Sequence, residues 1–210
     1  MSEKLVPVKP KLIGVVFTAL FSTVLGCGAL EVAHKVQAGR NALQMGQPET
    51  AIGYLSRAAT SDPNYSTPYR LSQNVLTYLG RAYYETGKDK EARAALEQAL
   101  TRDGSDSLAH LYLGLTLLRS GERERCGREI QTGLKTLHES IDYLAADNIW
   151  GSYWDPARQI RGDIQRAAAL TADSPELPEL VQRIGKATDE EPDRVRREES
   201  RTLYGRTGDS

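Results

Sequence analysis

The sequence predicts an all-α fold: an α-solenoid of about three helical hairpins, closed by C-terminal capping helices and preceded by an N-terminal signal or anchor helix. Three observations predict it. A block of sequence beginning at Gln73 recurs in register at Ser107, 34 residues on. Beyond that block, apolar residues return at intervals of three and four, as helices with one buried face require. Near the start, an uncharged run from Leu12 to Leu30 follows a lysine-bearing flank.

That flank comes first. Lys4, Lys9 and Lys11 precede the run, against a single Glu3. A positive flank, an apolar stretch and small residues at its end are the parts of a secretory signal. The lysines predict an N-terminus left in the cytoplasm and a chain carried across the membrane. Besides simple cleavage, two outcomes are available at the end of the run. Val24-Leu25-Gly26-Cys27 resembles a bacterial lipobox, which makes Cys27 the candidate for lipidation, with Leu25 bulkier than that pattern prefers. Alternatively the run stays uncleaved: at about 1.5 Å per residue it reaches the roughly 30 Å of a hydrocarbon core. Residues 1–30 are therefore read as signal peptide or membrane anchor, and residues 31–188 as the helical domain.

Within that domain the 34-residue offset aligns like with like. Leu79-Gly80 falls on Leu113-Gly114, Tyr83 on Leu117, Gly87 on Gly121, Ala92 on Cys126 and Leu96 on Ile130. A third copy begins at Val32, with Gly39, Ala42, Gly46, Ala51, Leu55, Ala58 and Pro63 in the same register. Gly46, Gly87 and Gly121 stand where a hairpin must leave its first helix with positive φ. Gly39, Gly80 and Gly114 stand where two helices cross closely. This pattern resembles the tetratricopeptide repeat (TPR), over residues 32 to about 140, and together with the N-terminal segment it is similar to bacterial TPR lipoproteins. The first interval is seven residues longer than the next, and Thr67-Pro68 reads as a helix start with proline in the first turn. A helix is accordingly expected from about Pro68, overhanging its neighbours.

Past the repeats, Ile130, Leu134, Leu137, Ile141 and Leu144 keep one stripe, so the last hairpin's second helix is expected to be long. Asp155-Pro156 and Ser174-Pro175 mark two further helix starts, expected to cap the open end of the solenoid. Residues 189–210 carry mixed charge and almost no apolar spacing, and are read as a disordered charged tail.

Composition limits the function. Lys plus Arg number 27 against 28 Asp plus Glu, a balance without the electrostatic footprint of a nucleic-acid binder. Two distant cysteines, Cys27 and Cys126, and three scattered histidines supply no disulfide framework and no metal spacing. No catalytic motif is present, so no catalytic residues, no metal and no cofactor are assigned, and the chain is not read as an enzyme. Cys126, at a small crossing position, reads as an inert core residue, and His110 as structural. The TPR resemblance implies instead a concave groove for protein partners, lined by the first helix of each repeat. Its positions here are Arg40 and Gln44, then Tyr78, Arg81, Tyr84 and Glu85, then Tyr112 and Arg119. Trp150, Tyr153 and Trp154 form a dense aromatic patch, either a second platform or the closure of the core's end. The function expected is that of an exported, membrane-tethered scaffold for an envelope assembly. The alternative is an accessory structural subunit held in a larger membrane complex by an uncleaved transmembrane helix. Both place the repeats outside the cytoplasm, in a bacterial periplasm or envelope.

Overall fold

The computed structural model describes the backbone of residues 11–205 except residue 148, and the side chains of residues 28–204 with the same exception. Eight α-helices follow in order: α1 Lys11–Gln44, α2 Pro48–Ser61, α3 Val75–Glu85, α4 Asp89–Arg102, α5 Ser107–Arg119, α6 Arg123–Ala145, α7 Gln159–Ala168 and α8 Leu177–Gly205. A single 3-10 turn, Gly151–Tyr153, lies between α6 and α7. Cys27 and most of the Leu12–Leu30 run lie outside the described side chains. Among the described residues no helix is long and apolar enough to cross a membrane.

Helices α1 and α2, α3 and α4, and α5 and α6 form three antiparallel hairpins. Each turns on a glycine, Gly46, Gly87 or Gly121, at φ of +70°, +72° and +80°. Backbone of that hand costs an L side chain steric strain that glycine avoids. Within each hairpin the helices cross at a notch. A Cβ on Gly39 would stand 2.5 Å from Leu55 Cγ, one on Gly80 2.4 Å from Leu96 Cγ, and one on Gly114 2.5 Å from Ile130 Cγ1. Leu55, Leu96 and Ile130 are themselves buried, so each large side chain fills the space its glycine leaves. Shape complementarity of this kind is what a close-packed core rewards. Asn74 and Asp106 start α3 and α5 by accepting from Leu76 N (2.8 Å) and Ala109 N (3.0 Å).

As expected from its stripe, α6 is long, and Ile130, Leu134, Leu137, Ile141 and Leu144 are all buried. Three expectations are corrected. No helix begins at Pro68: residues 62–74 form a loop, closed by Thr67 N donating to Gln73 O (3.0 Å) and Val75 N donating to Tyr65 O (2.9 Å). With Ser72 Oγ also donating to Thr67 O (2.8 Å), the loop satisfies its own backbone and gains nothing from a helical turn. Helix α7 starts at Gln159, three residues after the proline, because Asp155 caps it across that distance, accepting from Ile160 N (3.0 Å) and Arg161 N (3.1 Å). Most consequentially, the tail read as disordered from residue 189 is helical through Gly205, within α8. Its order comes from where it lies.

Candidate functional site: the filled concave groove

The first helices of the three hairpins, α1, α3 and α5, stand side by side and offer Arg40, Arg81 and Tyr112 to one face. Helix α8 runs across that face. At Gly185 it comes so near α5 that a Cβ there would stand 2.8 Å from the Tyr112 hydroxyl. One turn later Asp189 enters between α1 and α3. Arg40 Nε donates to Asp189 Oδ1 (3.0 Å) and Arg40 Nη2 to the Asp189 carbonyl (2.8 Å), while Arg81 Nη1 approaches Asp189 Oδ2 at 3.4 Å. Another turn on, Asp193 Oδ2 accepts from Arg40 Nη2 (3.1 Å). Arg40 and Asp189 are both wholly withdrawn from solvent.

Buried guanidinium groups need compensation on every side. Arg40 has it: Tyr78 lies with its ring centroid 5.5 Å from Cζ, Tyr69 at 4.9 Å, and Tyr69 also accepts from Arg40 Nη1 (3.2 Å). Arg81 Nε donates to Glu85 Oε1 (2.7 Å), and its Cζ lies 5.6 Å from the Tyr112 ring. Burial disfavours the Arg40 charge, yet Tyr78, Asp189 and Asp193 outweigh it and hold its pKa above the usual guanidinium value. Arg81 is raised in the same sense, burial being outweighed by Tyr112, Glu85 and Asp189. Burial pushes the Tyr78 and Tyr112 hydroxyls well up, so both stay neutral.

The groove residues read from the sequence thus do converge, but not as an open surface. Arg40, Tyr78, Arg81, Tyr84 and Tyr112 are buried, and α8 is what covers the centre of the face. Gln44 and Glu85 are half-buried beside it. Gln44 lines a cleft of ≈ 470 Å³ between α1 and α8, with Gln37, Asn41, Glu190, Asp193 and Arg196. Arg119 lies apart, over the Tyr84 ring at 3.6 Å, donating to Tyr84 O (2.6 Å) and Asp89 Oδ1 (3.1 Å). It ties α5 to the α3–α4 hairpin.

Two loops hold α8 from its other side. In the 62–74 loop, Tyr69 lies between Arg40 and Arg196, whose Cζ is 4.8 Å from its ring, and Leu71 joins Leu144, Trp154 and Val195 in a small separate core. The seven extra residues of the first interval therefore build a clasp. The aromatic patch is the other half of it: Trp154 is buried against Val195, Trp150 and Tyr153 stack at 5.8 Å, and Tyr153 Oη hydrogen-bonds Thr202 Oγ1 (2.8 Å). Asp155 N donates to Glu191 Oε1 (2.6 Å), and Arg194 donates to the Tyr153 carbonyl. Trp154 closes the core's end, while Trp150 and Tyr153 stay half-buried at its edge. His110 bridges Glu129 and the Gly104 carbonyl, and Cys126 is a buried free thiol whose pKa burial raises. Among the described residues no group of three His, Cys, Asp or Glu side chains is placed to hold a metal ion.

Sequence reasoning missed Asp189, Glu191 and Val195. The signal was present: Leu177, Leu180, Val181, Ile184, Thr188, Glu191 and Val195 continue one stripe at intervals of three and four. It was masked because Thr188 and Glu191, two of the three residues in its second part, are polar.

Geometry of this kind, paired helices turning on glycine and stacked through glycine notches, defines a helical-repeat solenoid. The tetratricopeptide repeat family model matches residues 42–114, from the end of α1 into α5, and that stretch carries tetratricopeptide repeats. No curated protein and no solved structure matches the chain. Repeats of this family serve as protein–protein interaction modules.

Proposed function

We propose that this chain is an exported, membrane-tethered repeat scaffold that holds protein partners together in an envelope assembly. The observation that carries the reading is the stack of three hairpins, a rigid frame that arranges side chains for docking and activates none for chemistry. The lysine flank and the Leu12–Leu30 run support the tether, with Cys27 as the residue that would carry a lipid. One observation favours the second reading, an accessory subunit held by an uncleaved helix: α1 runs from Lys11 to Gln44 without a turn between the apolar run and the first repeat.

Affinity purification of the full chain from gently solubilised membranes tests the proposal. Stoichiometric partners in the membrane fraction are expected. Recovery of the chain alone from the soluble fraction would overturn it. The mass of the mature N-terminus separates the two tethers, an acylated Cys27 from an intact Met1.

A further inference from the structure

Defects in the molecule are not spread evenly. Among the described residues, three buried side-chain polar atoms have no hydrogen-bond partner: Gln73 Oε1, Thr188 Oγ1 and Trp154 Nε1. All three belong to α8 or to the two loops that clasp it. Each forfeits the hydrogen bonds to water that the unfolded chain would give it. The non-glycine residues with positive φ, Asp155 (44°) and Arg158 (55°), lie in the same clasp. Such backbone outliers gather at switch regions. Pro192 sits inside α8 and has no N–H, so the Thr188 carbonyl loses its helical donor beside the point where Asp189 enters the groove. Among the described residues the three hairpins carry no comparable fault.

The two halves of α8 are also seated differently. Leu177, Leu180, Val181 and Ile184 join the main core. Beyond Ala187, which still packs against the main core, the contacts with the groove are mainly ionic, and the apolar anchor is Val195. A buried ion pair adds little net stability over its solvated parts, because desolvation cancels most of the attraction. Once exposed to water, both arginines and Asp189 recover that desolvation.

We infer that the second half of α8, from Ala187 onward, is an internal ligand that swings off the concave face, and that the vacated groove takes an amphipathic helix of a partner protein carrying a carboxylate at the place of Asp189. The chemistry of the occupant is written in the seat: two guanidinium groups, from Arg40 and Arg81, over the Tyr78 and Tyr112 rings. The inference rests on the scaffold reading and adds its regulation, a groove closed in cis until a competing acidic helix opens it.

Two measurements on the full-length, detergent-solubilised protein test it. In native-state hydrogen exchange, amides of residues 187–204 should exchange at least tenfold faster than those of Leu113 and Leu134, through a partial opening. Equal protection across both sets overturns the inference. In fluorescence anisotropy, a labelled synthetic peptide of residues 177–205 should bind the Asp189→Asn full chain at least tenfold more tightly than wild type. The same peptide carrying Asn in place of Asp189 should lose tenfold. Val195→Asp, which loosens the clasp and leaves Arg40 and Arg81 untouched, should likewise admit the unaltered peptide. Failure of both variants to bind it, with helical content retained, overturns the inference. Membrane partners recovered alongside equal protection would reject the release of α8 and leave the scaffold standing.

Discussion

The hairpins and the clasp hold helices together by opposite means. In the hairpins a glycine notch receives a buried leucine or isoleucine, and the contact is apolar, directional through shape and free of orphaned polar atoms. At the clasp a proline-interrupted helix is fixed by carboxylates between guanidinium groups and by loops that leave three polar atoms unpartnered. Apolar packing of the first kind stabilises a frame that must not move. Ionic seating of the second kind specifies position while contributing little net energy, which suits an element that must come and go.

Breaking a notch should therefore have the largest effect. Leu96→Ala empties the space beside Gly80 and is expected to cost about 2–5 kcal/mol of global stability, read as a lower urea midpoint of a single transition. Asp189→Asn removes the charge that both groove arginines face and should cost about 1.5–3 kcal/mol. Its more telling signature is local, because trypsin should cut at Arg194, Arg196 and Arg197 well before the hairpins open. Thr188→Val keeps shape and deletes an orphaned hydroxyl. It should stabilise α8 by about 1 kcal/mol, seen as slower trypsin cleavage there.

The smallest effect is a pH effect at the clasp's outer edge. Backbone N–H groups of Ile149 and Trp150, together with Arg70, hold the Asp147 carboxyl down at about 2. A carboxylate depressed in the folded state contributes stability above its ordinary pKa and loses it as pH falls through the folded value. The Arg70 link between the 62–74 loop and the end of α6 should thus persist at pH 4 and fail near pH 2. In Arg70→Ala the carboxylate titration followed by NMR should move upward.

Much of the frame could be read from residue spacing alone. Gly39 and Leu55, Gly80 and Leu96, and Gly114 and Ile130 announce their crossings because each apolar partner is paired with a glycine at a repeated distance. The groove positions were legible for the same reason, since Arg40, Tyr78, Arg81 and Tyr112 fall in register. Their burial was not, because it depends on a segment far along the chain, 149 residues from Arg40 and 108 from Arg81. Residues 189–205 look like a solvated tail when charge is counted locally, and only the partners Arg40 and Arg81 turn Asp189 into a core residue. Pro68 misled in a similar way: its fixed φ suits a first helical turn, but the pairing of Thr67 with Gln73 satisfied the backbone first.

The central claim, that Asp189 seats α8 in the groove through Arg40, is tested most directly by a double-mutant cycle on urea stability with Arg40→Met and Asp189→Leu. Two side chains in contact should couple by about 1–3 kcal/mol, the double variant being less damaged than the sum of the single ones. Coupling within about 0.3 kcal/mol of zero, with both single variants folded, would place α8 away from the groove and contradict the account.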